Sequence, residues 1–161
     1  MRGFTLVELL IVISVMGVLS GAILVSINPS DKINFANDAK VRADISAIAS
    51  AMQTFVVNNN GLYPDGNSPT LASSGKADGN ATTVLGGTGG LVAAGEVGAI
   101  PVPPNGYGAS YTYYWDNSAT PPRAKVIGVQ KKGSTGVVAW CSWINTLVYA
   151  TSYATNLLVC P

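Results

Sequence analysis

The chain has 161 residues, a formal net charge of +1 and 11% charged residues, with no histidine and two cysteines. Its basic residues are scattered, Lys131-Lys132 being the one adjacent pair, which excludes the strong basic patch of a nucleic-acid binder. The missing histidine removes the commonest general base and metal ligand.

The chain begins with a long apolar run. Glu8 is the one acid near its start, and no further charge occurs before Asp31. As a helix, Leu9 to Ile27 is about 28 Å long at ~1.5 Å per residue, close to the ~30 Å hydrocarbon core of a bilayer. This reads as a membrane-spanning helix, with Arg2 on the cytoplasmic side. A cleaved secretory signal fits less well. The run exceeds the usual core region of about 7–15 residues, and no small-x-small cleavage site follows it. Glu8 has two readings on its own chemistry. A carboxylate in hydrocarbon costs about 3 kcal/mol, so it either finds a cationic partner or snorkels to the interface. Gly17, Ser20 and Gly21 include a small-xxx-small spacing, which either permits close helix packing or is merely tolerated.

Asn28-Pro29 predicts a kink or break, because proline removes a donor and pushes the preceding residue out of the α region. Ser30-Asp31 is then expected to restart the helix. Val41, Ile45, Ile48, Met52 and Phe55 recur at spacings of four, three, four and three, an apolar seam that lies on a globular domain. Asp38 with Arg42, and Lys40 with Asp44, are expected as exposed pairs four residues apart. Asn58-Asn59-Asn60-Gly61 ends this helix in left-handed backbone.

Residues 65–110 read as loop-rich. Thr82–Leu85 is expected as a short strand or turn, Leu91–Glu96 as a short helix, and Ile100–Pro104 as an extended, proline-stiffened segment. Strands follow at Ser110–Trp115, Lys125–Gln130 and Val137–Trp140, with turns at Asp116–Ser118 and Lys132–Gly136, making an antiparallel meander. One face of this sheet is expected to cover the seam. The tail from Ser142 to Val159 is apolar and aromatic. Trp140, Trp143, Tyr149 and Tyr153 either pack this lobe or form an exposed adhesive surface. An even cysteine count beside a membrane-targeting segment favours a disulfide outside the cytoplasm. A bond between Cys141 and Cys160 would stabilise by about 3 kcal/mol through loop closure.

Enzyme chemistry finds little support. No serine or cysteine has a recognisable base, and no pair of carboxylates stands out. The cysteines lack Cys-x-x-Cys spacing, and Gly86–Gly90 has no following lysine and helix to make a P-loop. No cofactor or metal is expected.

Gly3-Phe4-Thr5-Leu6-Val7-Glu8-Leu9-Leu10 resembles the class III signal of type IV pilins and the related pseudopilins. The resemblance continues through Ile27–Pro64, and more loosely through Leu91–Trp115, where a proline-rich segment leads to Tyr-x-Tyr. It implies cleavage by a membrane prepilin peptidase between Gly3 and Phe4, N-methylation of Phe4, and pairing of Glu8 with the new amine of a neighbouring subunit. It implies the α+β pilin fold, with a long N-terminal helix packed on an antiparallel sheet, its apolar half protruding. The C-terminal cysteine pair is similar to the family's disulfide-bounded region.

The implied organisation is a leader at 1–3, a long helix at 4–57 and a β-rich head at 58–161. Within the helix, 4–27 is transmembrane or filament core and 30–57 amphipathic. The implied function is a structural pilus subunit that polymerises with itself, held in the bacterial inner membrane before assembly and in a surface fimbrium afterwards. The alternative is a pseudopilin of a secretion or DNA-uptake machine. Two departures stand out. The leader Met1-Arg2-Gly3 is shorter and less basic than in most members. Val102-Pro103-Pro104 also lacks the carboxylate of the major pseudopilin's calcium loop, which favours the pilus.

Overall fold

The computed structural model describes residues 3–26, 28–66, 76–131 and 136–150. Expectations for Lys132–Thr135, Tyr153 and Cys160 fall outside these residues. The chain divides into two compact units, Met1–Ile33 and Asn34–Pro161.

In the first unit, helix α1 spans Leu6–Ser26. It carries a stretch, Leu6–Ile23, long and apolar enough to cross a membrane. The side chains of that stretch are exposed on every side. Helix α2 spans Pro29–Asn58. It starts on Pro29 itself rather than at Ser30-Asp31, because proline's fixed φ and missing donor suit the first helical position. Asn28 precedes it in non-helical backbone; its Nδ2 donates to Asp31 Oδ2 at 3.1 Å.

In the second unit, the α2 seam is buried as its period requires: Val41, Ile45, Ile48, Met52 and Phe55 are at most 3% exposed. They join one core with Tyr111, Tyr113, Trp115, Val126, Val138 and Trp140. Burial of each large apolar side chain contributes about 1.5–3 kcal/mol. The helix ends in left-handed backbone at Asn60 (φ 53°) and Gly61 (φ 83°), with Gly61 N–H donating to the Val56 carbonyl at 2.9 Å. The exit is pinned by Asn117, whose amide mimics a strand neighbour. Asn117 Oδ1 accepts Tyr63 N–H and its Nδ2 donates to Tyr63 O, both at 3.0 Å.

Among the described residues the sheet is a five-stranded antiparallel meander in chain order. Its strands are β1 Lys76–Asn80, β2 Thr112–Asp116, β3 Arg123–Val129, β4 Val137–Cys141 and β5 Thr146–Ala150. Three strands fall where alternation and β-propensity place them. Two do not. β1 (Lys-Ala-Asp-Gly-Asn) lies in the stretch read as loop, and is a strand because all five of its residues pair with β2. β5 lies in the apolar tail and pairs with β4 from Thr146 to Ala150.

Two further expectations are corrected. Ala81–Gly86 is a short helix, α3, rather than a strand or turn, because Asn80 caps it. Leu91–Glu96 forms consecutive turns rather than a helix, closing on Gly95 at φ 77° with Glu96 N–H bonded to Leu91 O at 3.0 Å.

Helix and sheet meet closely at Gly128 of β3. A Cβ there would stand 2.8 Å from Val41 Cγ1 and 3.0 Å from Ile45 Cδ1. The side chain is absent where the helix seam needs the room.

Candidate functional site

The first turn of α1 is a capping box. Thr5 N–H and Thr5 Oγ1 each donate to Glu8 Oε2 at 2.9 Å, and Glu8 N–H reaches back to Thr5 Oγ1 at 3.3 Å. Thr5 O takes the first helical bond, from Leu9 N–H at 3.3 Å. An α-helix leaves its first N–H groups without partners, a serious cost in hydrocarbon. Thr5 and Glu8 satisfy two such needs reciprocally. Thr5 was missed as a positioning residue in the sequence, although Thr-x-x-Glu is the signature of this box.

Gly3, Phe4 and Thr5 lie ahead of the helix in irregular backbone, and Phe4 is 80% exposed. No side chain or backbone comes within 4 Å of where a Cβ on Gly3 would stand. The Gly3–Phe4 peptide is thus outside any helical hydrogen-bond ladder and open to an approaching enzyme. Further along α1, Cβ positions on Gly17 and Gly21 also meet nothing within 4 Å, and Ser14 Oγ is folded back onto Leu10 O at 2.7 Å. The face carrying the small residues is unoccupied in the isolated chain.

In the second unit, polar groups tie α2 to the loops around the sheet. Asp38 is fully buried, not on a wet face with Arg42, and its Oδ1 accepts Lys131 N–H at 2.9 Å. Its backbone carbonyl takes Gln130 Nε2 at 3.4 Å, and Tyr107 OH donates to Asn34 O at 3.1 Å. Lys131 Nζ sits 4.9 Å from the centre of the Tyr107 ring. Burial, with the hydrogen bond and charge of Asp38, pushes the Tyr107 phenol up to about 12. Lys40 and Asp44 pair at 2.8 Å as their spacing predicts. Asp44 also accepts Tyr111 OH at 2.6 Å, and burial followed by this carboxylate raises the Tyr111 phenol.

Cys141 closes β4, fully buried, and no cysteine among the described residues is a free thiol. Of the aromatic group, Trp140 is buried with its indole N–H on Asn145 Oδ1 at 3.2 Å. Trp143 is half-buried with the Arg123 guanidinium 5.4 Å above it, and Tyr149 is exposed. These three do not make one surface stripe. Among the described residues no three carboxylates or thiols gather where a metal could sit.

Residues 1–24 match the family model described as the prokaryotic N-terminal methylation motif. This is the class III signal of type IV pilins and pseudopilins. No curated protein and no solved structure matches the chain. The match takes in Gly3, Phe4, Thr5 and Glu8 together with most of α1. Such a signal implies processing by prepilin peptidase and handling by an assembly machinery, and belongs to structural rather than enzymatic proteins. With the apolar helix, it fits a membrane-anchored precursor.

Proposed function

We propose that the chain is a pilin, the structural subunit of a type IV pilus. The peptide bond between Gly3 and Phe4 is cut, and Phe4 becomes the N-methylated first residue. The subunit waits in the inner membrane through 4–27 and then polymerises through the same helix into a surface filament. Residues 58–161 form the head, with Cys141 and Cys160 bonded around its C-terminal region.

The observation that carries this reading is the methylation motif on a helix whose apolar surface is exposed all round. Such a surface needs two successive apolar environments, lipid before assembly and neighbouring helices after it. In the second, Glu8 of one subunit meets the Phe4 amine of the next. The amine and the acid lie about one helical turn apart along the chain, so equivalent groups reach a common depth. Asn28-Pro29 is the place where the filament helix unwinds. A pseudopilus built from the same signal would remain short and periplasmic.

Mass spectrometry of fibres sheared from cells tests the proposal. Chains that begin at N-methylated Phe4, with Cys141 linked to Cys160, are expected as a fibre component. Fibres without this chain, while the processed chain stays in the cell envelope, would favour the pseudopilus.

A further inference from the structure

Asn80 ends β1 and caps α3, in extended backbone at φ −69°, ψ 120°. Its Oδ1 accepts Thr82 N–H at 2.8 Å and Thr83 N–H at 3.3 Å, and Ser110 Oγ lies 2.6 Å from the same oxygen. The carbonyl side of the amide is therefore engaged. Its Nδ2 makes no hydrogen bond among the described residues, and both Asn80 and Thr82 are exposed. The cap thus holds the asparagine by its oxygen and leaves its nitrogen available.

Asn80-Ala81-Thr82 is an Asn-x-Ser/Thr stretch, the acceptor pattern for N-linked sugar. No other stretch of the chain has it, since Pro29 disqualifies Asn28-Pro29-Ser30. Asp78 stands two residues ahead of Asn80, so the acceptor stretch carries one acid for a transferase to read by charge. The surroundings are also permissive. Among the described residues β1 is an edge strand. Beside Asn80 lies an open depression of about 440 Å³, lined also by Gly79, Gly108, Ala109, Ser110, Tyr111 and Thr112.

We propose that Asn80 is a site of N-linked glycosylation, the donor being a lipid-linked oligosaccharyl diphosphate. Asn80 Nδ2 bonds to the anomeric carbon of the first sugar. The bond from that carbon to the diphosphate oxygen breaks, and the lipid diphosphate leaves with the electron pair. One Nδ2 proton passes to a base of the transferase, and nothing is oxidised or reduced. The Thr82 hydroxyl, two residues on, is the group by which the acceptor is recognised. The proposal rests on the reading that residues 58–161 are carried across the membrane, where such a transfer takes place.

Tandem mass spectrometry of the full chain from its native cells reads the N-terminus and the Asn80 peptide together. A glycan on Asn80 is expected, lost in Asn80→Asp and Thr82→Ala and kept in Thr82→Ser. The aspartate keeps an oxygen for the Thr82 and Thr83 N–H groups, so the α3 cap survives while the accepting nitrogen is gone. A bare Asn80 overturns the proposal, whatever the state of the N-terminus. So does a glycan that persists in Thr82→Ala. A glycan on chains still uncut at Gly3 sustains it and counts instead against the processing proposed above.

Discussion

Helices α1 and α2 are both apolar enough to be buried, yet they meet the rest of the chain in opposite ways. Along α2 the residues Val41, Ile45, Ile48, Met52 and Phe55 make one seam at alternating spacings of four and three, and a sheet of the same unit covers it. Along α1 they cover the whole circumference, and from Leu6 to Ile23 the chain covers none of them. One helix finds its partner within the fold. The other is built for a partner outside it, and its one carboxylate is held at the first turn by Thr5.

The sharpest contrast is in what truncation does to the fold. Met52→Ala is expected to lower head stability by about 2–5 kcal/mol, since it opens a cavity in the seam. Ile13→Ala, exposed on α1, should leave the urea midpoint of the head unchanged. Equal shifts for the two would erase the distinction between the helices.

Asp38→Ala deletes the fully buried carboxylate that accepts Lys131 N–H, and a loss of about 1–3 kcal/mol is expected by the same urea titration. An unchanged midpoint would mean that this carboxylate does not fasten the helix to the sheet.

Thr5→Ala removes the cap from α1 at a cost of about 0.5–2 kcal/mol to its first turn. Thr5→Ser should restore it. Circular dichroism of the chain in lipid vesicles reads the change as a small loss of helix, with head stability untouched.

The smallest effect is on pH dependence. The Tyr107 phenol stands at about 12 in the fold, above its ordinary value near 10, because of burial and Asp38. Below pH 10 both folded and unfolded states hold this proton, so the contribution is fully present. Above it the unfolded chain loses the proton first, and stability falls as pH rises through about 12. Tyr107→Phe should flatten that fall in thermal scans between pH 9 and 12. Tyr111 and Tyr113, also raised, keep part of the slope.

The two helices also differ in how plainly they could be read. The α2 seam was legible because burial on one side leaves a period. The first turn of α1 was legible because a specific run, Gly3 to Leu10, carries it. What escaped notice depends on partners distant in the chain. Asp38 reads as a solvent charge until Lys131, 93 residues later, brings its N–H to it. β1 has the composition of a loop and becomes a strand through β2. β5 is hidden in a tail whose apolarity gives no alternation. Thr5 is a different case, since its partner is local and the Thr-x-x-Glu pattern stands in the sequence itself.

The central claim is that α1 is a surface for copies of itself, keyed by Glu8. Counting surface fibres by electron microscopy in cells carrying Glu8→Ala as their sole copy of this chain tests it most directly. The expected result is a variant present in the membrane fraction at the normal amount, with fibres lost. Fibres in normal number, made of the variant, would contradict it.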